Sequence, residues 1–72
     1  MNKPSDKLIQ MILNDRLFSL EIAKRAGIRE ISIIRNAERR SPKLVSYTLV
    51  RFYKSKGLTE NEIFEKEEIE AK

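Results

Sequence analysis

The chain contains no cysteine and no histidine. Without cysteine there is no disulfide framework and no thiolate metal site. Without histidine it lacks the commonest metal ligand and the usual proton shuttle near neutral pH. Glycine-rich phosphate loops are missing, and the glutamates follow no EF-hand spacing. No apolar run approaches the roughly 20 residues that span a bilayer. The opening Met1-Asn2-Lys3-Pro4 shows no signal-peptide pattern, because the apolar stretch from Leu8 to Leu13 is short and interrupted by Gln10. Catalysis needs a nucleophile or acid–base group with a positioned partner in a water-poor pocket. This chain offers serines, threonines, tyrosines and acids in too little volume to enclose a substrate. The expectation is therefore a cytoplasmic protein that is not an enzyme, with no cofactor, no metal, no small-molecule substrate and no membrane partner.

What is present suits one small helical domain. Seventy-two residues make a single domain over 1–72, and 40% of them are hydrophobic, enough for one modest core. A domain of this size buries only about 60% of the surface its unfolded chain exposes. Stability must come from helix packing, assisted where needed by a partner chain. Only two glycines and two prolines occur, which argues against disorder or β-rich structure. The net charge of +4 is unevenly spread: residues 1–57 carry a balance of +8 and residues 58–72 one of −4. A basic body attracts a polyanion or an acidic protein face at long range, although such charge also serves simply to keep a small protein in solution.

Punctuation residues divide the chain into about five short helices, an all-α bundle. Ser5 is an N-cap with Asp6 at the positive end of the dipole; Leu8, Ile9, Ile12 and Leu13 follow at helical spacing to a stop at Asn14-Asp15. Ser19 reads as a second N-cap, ahead of Leu20, Ala23 and Ala26, and Gly27 closes that helix in the left-handed region. A third helix is expected from about Glu30 to Glu38. Ser41-Pro42, a cap followed by proline, is expected to open a fourth carrying Val45, Leu49 and Phe52, which Gly57 terminates. Thr59 and Glu62 form a capping box for an acidic fifth helix, about 60–70, with Ile63 and Phe64 turned inward.

The stretch over 19–38 gives a helix, a turn centred on Gly27 and a second helix. Two helices crossing at that angle need a small residue, Ala23, and branched apolar residues after the turn, Ile28 and Ile33. With Leu20, Pro42 and the Gly57-Leu58-Thr59 step, this pattern resembles the helix-turn-helix regulators of the Cro and lambda-repressor type. The resemblance covers roughly residues 5 to 65. In size the chain is also similar to stand-alone phage regulators, antirepressors of the lysis–lysogeny switch included. The resemblance implies a bacterial host cell as the setting and a third helix lying in the DNA major groove. It also implies two partners, operator DNA and a cognate phage repressor of the CI type.

Carried over by position, the cap of the third helix falls on Arg29, and the base-reading slots fall on Glu30, Ile31 and Arg35, with Ile34 also outward. Only Arg35 suits the two acceptors of guanine. A rotation by one position would bury Ile34 and Ala37 and turn Ser32, Asn36 and Arg39 outward. In either register Ile31 is hard to bury. Burying one isoleucine is worth about 1.5–3 kcal/mol, so a pair left in water points to a partner surface or to packing under neighbouring loops. Two sets of residues follow. Arg25, Arg29, Glu30, Ile31, Ile34 and Arg35 form a protein-binding face for a repressor. Lys24, Arg29, Ser32, Arg35, Asn36, Arg39, Arg40 and Lys43 form the alternative, a Cro-like operator-binding face with phosphate clamps at both ends of the helix. A helix-turn-helix antitoxin or a structural interaction module would share the same fold.

Overall fold

Short polar side chains open some of the helices in this chain, and among the described residues the chain enters the left-handed region at Gly27, Arg40 and Gly57, each just past the end of a helix. The computed structural model describes residues 3–65. The Ser5 hydroxyl accepts from the Leu8 N–H at 3.0 Å and opens α1 (Asp6–Asn14). Asp15 serves two helices at once. Its N–H donates to the Met11 carbonyl at 3.0 Å, ending α1, and its carboxylate accepts from the Phe18 N–H at 3.2 Å, opening α2 (Arg16–Ala26). Gly27, at φ 72°, closes α2 by donating to the Ala23 carbonyl at 2.8 Å. Then comes α3 (Glu30–Glu38), which ends where Arg40 turns to φ 55° and lets the Ser41 N–H reach the Asn36 carbonyl at 2.9 Å. A 3-10 turn (Pro42–Val45), α4 (Tyr47–Ser55) and α5 (Glu60–Ile63) complete an all-α bundle among the described residues.

Several boundaries differ from the sequence-based expectation. Ser19 does not cap α2; it is fully buried inside the helix, because Asp15 opens it one turn earlier. The helical pair expected over 19–38 therefore starts at Arg16. Ser41 and Pro42 do not open the fourth helix; Ser41 caps the 3-10 turn by accepting from the Lys43 N–H at 3.2 Å, and Ser46 precedes α4. The acidic helix expected over 60–70 ends at Ile63, since Phe64 is extended and pairs with Pro4 in an isolated antiparallel bridge. Positions 66–70 of that expectation lie outside the described residues. The capping box itself is formed, with Thr59 and Glu62 holding each other's backbone.

The core is one cluster to which every element contributes. Leu8, Ile9 and Ile12 come from α1, Phe18, Ile22 and Ala23 from α2, and Ile33 and Ala37 from α3. Leu44 enters from the turn, Leu49, Phe52 and Tyr53 from α4, and Ile63 from α5. α2 packs against α1, α3 and α4, while α1 also meets α3 and α5. Leu13, Leu20 and Ile28, expected among the packed positions, are 39%, 41% and 43% exposed. The inward stripe of α2 runs through Phe18, Ser19, Ile22 and Ala23, which leaves Leu20 off the seam. Tyr53 sits at the centre, fully buried, with its hydroxyl donating to the Leu44 carbonyl at 2.6 Å. Burial pushes its phenol well above the ordinary range, so the hydroxyl stays protonated as a donor.

The two ends of the described chain are fastened together. The Ser5 N–H donates to the Ile63 carbonyl at 2.8 Å, and the Glu65 N–H donates to the Lys3 carbonyl at 2.7 Å. Lys7 adds an ion pair to Glu62 at 2.7 Å. The Lys7 ammonium, and next the Thr59 N–H, hold the Glu62 carboxyl below its usual pKa of 4.5.

Two outcomes are expected. Tyr53→Phe leaves the buried Leu44 carbonyl without its donor and lowers stability by about 1–3 kcal/mol, read as a lower urea midpoint at unchanged slope. The fold favours ionised Glu62, so the clamp stabilises above pH 4.5, where the unfolded chain's glutamate is ionised, and fades as pH falls below it. Glu62→Gln should accordingly lose stability at neutral pH and show a shallower acid limb than the parent in denaturation curves taken from pH 7 down to about pH 3.

Candidate interaction surface

The orientation of α3 follows from its composition. Ile33 and Ala37 are buried, Ile34 and Glu30 are half-buried, and all four lie on one helical stripe against the rest of the bundle. The opposite row is Ile31, Arg35 and Glu38, all exposed. Ser32 and Asn36 are half-buried on the flank, and Arg29 and Arg39 stand at the two ends of the helix. This is close to the rotated register: Ala37 is core, and Arg39 faces solvent.

Two residues expected on the partner-binding face point elsewhere. Ile34 does not stand outward; it packs against the core cluster. Glu30 faces neither base nor partner, because α2 claims it. The Ser19 hydroxyl lies 3.0 Å from the Glu30 carboxylate and 2.9 Å from the Arg16 carbonyl, sharing its single proton between them. Arg16 Nε approaches the same carboxylate at 3.5 Å. Ser19 is polar and fully buried, so it needs an acceptor, and Glu30 is the one that α3 brings. That half-buried cross-link was not visible in sequence, where Ser19 looked like a cap.

Ile31 remains: 52% exposed, it stands in the middle of the outward row. The cations around it divide into engaged and free groups. Arg40, expected to clamp phosphate, is held by Asp6 at 2.5 Å, so its charge is already answered by α1. The Arg25 guanidinium lies 4.9 Å over the Phe52 ring, beside Lys56 at 5.7 Å from the same ring. Lys24, Arg29, Arg35, Arg39 and Lys43 are exposed and make no ion pair among the described residues. The surface of α3 is thus an exposed isoleucine within a set of unpaired arginines.

Beside this row, a cleft of about 250 Å³ opens between the end of α2, the turn after Gly27, α3 and the start of α4. Ile33, Leu44 and Leu49 form its apolar floor, and Arg25 and Lys43 stand at its edge. Among the described residues no group of acidic side chains could hold a metal ion, and no helix is long and apolar enough to cross a membrane. No known protein family, curated protein or solved structure matches the chain.

The Glu30 cross-link is directly testable. Glu30→Ala should lower stability by about 1 kcal/mol in thermal or urea denaturation while leaving the helical spectrum unchanged. An unaltered midpoint would mean that the Ser19–Glu30 contact is not formed in solution.

Proposed function

We propose that the chain is a small helix-turn-helix regulator of gene expression that works as an antirepressor. In this reading the outer face of α3 binds a cognate phage repressor and keeps it from its operator. Ile31 carries the proposal. It is a large apolar side chain half in water at the position where the resemblance expects a hydrogen-bonding group. A base edge gives it little beyond a thymine methyl, whereas a protein partner can bury it whole, for about 1.5–3 kcal/mol. With Ile34 part of the fold, the anchor is one isoleucine rather than two. Arginine is among the residue types enriched at the energetic centres of protein interfaces, and Arg35 shares the outward row with Ile31. Arg29 and Arg35 flank it, with Arg25 at the end of α2, and give the face the positive potential that steers an acidic partner.

A specific observation supports a second reading. Arg29, Arg35, Arg39, Lys24 and Lys43 are exposed and free of ion pairs among the described residues, as phosphate and guanine contacts require. A Cro-like operator binder would use Arg35 for bases, with Ser32 and Asn36 beside it. Engagement of Arg40 by Asp6 removes one clamp from that face.

The antirepressor reading predicts that Ile31→Asp abolishes binding to the cognate repressor, measured by calorimetry. Because the side chain is exposed, the melting temperature should stay within a few degrees of the parent. Intact repressor binding by a folded Ile31→Asp protein would remove the proposal's basis. Tight, salt-dependent operator binding by the parent alone would favour the Cro-like reading.

A further inference from the structure

The cleft beside α3 holds an asymmetry that the Ile31 face does not explain. Its floor is aliphatic, yet both charged side chains that line it, Arg25 and Lys43, are cations, and no acid lines it. Its volume of about 250 Å³ accommodates one large apolar side chain. The first turn of α4 contributes in the same sense: it holds no acidic residue, and the Ser46 hydroxyl does not cap it. The larger depression elsewhere, about 390 Å³ around Leu17 and Phe18, lacks this selectivity, since its Lys56 is paired with its Glu21 at 3.0 Å. We infer that the cleft of Arg25, Ile33, Lys43 and Leu49 receives one leucine- to phenylalanine-sized side chain presented on an acidic segment of a protein partner. The carboxylates of that segment meet Lys43 and Arg25, whose guanidinium keeps its full charge while it lies over the Phe52 ring, and its apolar side chain covers Ile33, Leu44 and Leu49. A nucleic-acid backbone supplies the anions but no aliphatic or aromatic group to fill the floor. The inference rests on the reading of this chain as a protein-binding regulator, and it adds a second contact that does not include Ile31.

The probe is a capped five-residue peptide, one phenylalanine with two glutamates on each side, titrated into the ¹⁵N-labelled full chain. Saturable shifts are expected at the amides of Ile28, Asn36 and Leu49. Alanine in place of the phenylalanine, or lysines in place of the glutamates, should weaken binding at least about tenfold. Thr48→Trp, which fills the cleft from an exposed position, should abolish the shifts, and Lys43→Glu should weaken them about tenfold. Ile31→Asp should leave them unchanged. Equal binding of the alanine peptide, or no saturable shift with the phenylalanine peptide, overturns the inference. So does a random-sequence DNA duplex that moves these amides when the peptide does not. If the peptide fails while Ile31→Asp still abolishes repressor binding, the cleft falls and the antirepressor reading stands. If the peptide binds while Ile31→Asp leaves repressor binding intact, the reverse holds.

Discussion

At the centre of the core one buried hydrogen bond, from the Tyr53 hydroxyl to the Leu44 carbonyl, joins α4 to the 3-10 turn. Its ring lies 5.9 Å from Phe18 and 6.0 Å from Phe52, so the same residue ties α2 to α4 by packing and α4 to the 3-10 turn by polarity. The Leu58 N–H also returns to the Tyr53 carbonyl at 3.1 Å, closing α4 through the Gly57 turn. In a chain without cysteine, an aromatic cluster with its polar atom satisfied supplies cohesion that a core of this size otherwise lacks. Fixing Leu44 in turn fixes the segment between α3 and α4. α3, packed against α1, α2 and that turn, sits with Ile33 and Ala37 inward and Ile31 outward. The candidate surface thus follows from how the core is closed.

Local signals in the sequence were sufficient for much of this. Ser5, Gly27, Gly57 and the Thr59/Glu62 box act within one turn of chain, and the bounds of α3 follow from them and from its apolar spacing. What could not be read depends on tertiary partners. Asp15 and Ser19 are both capable caps; Phe18 entering the aromatic cluster decides in favour of Asp15 and draws Ser19 inside. Glu30 looked like a surface residue because its partner, Ser19, looked like one. The last helix stops at Ile63 because Phe64 pairs with Pro4 at the other end of the described chain, a contact with no local signature. Ile31 and Ile34 are the same residue type three positions apart, and only the burial of Ala37 and Ile33 separates them.

The same physics shapes the functional account. An exposed isoleucine among free arginines suits a protein partner, and an aliphatic cleft edged by Arg25 and Lys43 suits an acidic one. Both lie along α3, and neither uses Glu30, which pairs with α2, or Arg40, which pairs with Asp6 at the surface. In the proposed reading, an outer row that carries isoleucine in place of a hydrogen-bonding group gains affinity for a protein partner while the arginines beside it keep a positive field that steers the encounter. Fold and function are separable in such a protein, which is why the site must be tested by itself.

The most direct measurement is a pair of NMR titrations of the labelled chain, one with the cognate repressor and one with operator duplex at physiological salt. The amides of Arg29, Ile31, Ser32 and Arg35 are expected to move on addition of repressor and to stay in place with the duplex. Movement of those amides with the duplex alone, and none with the repressor, would contradict the antirepressor reading.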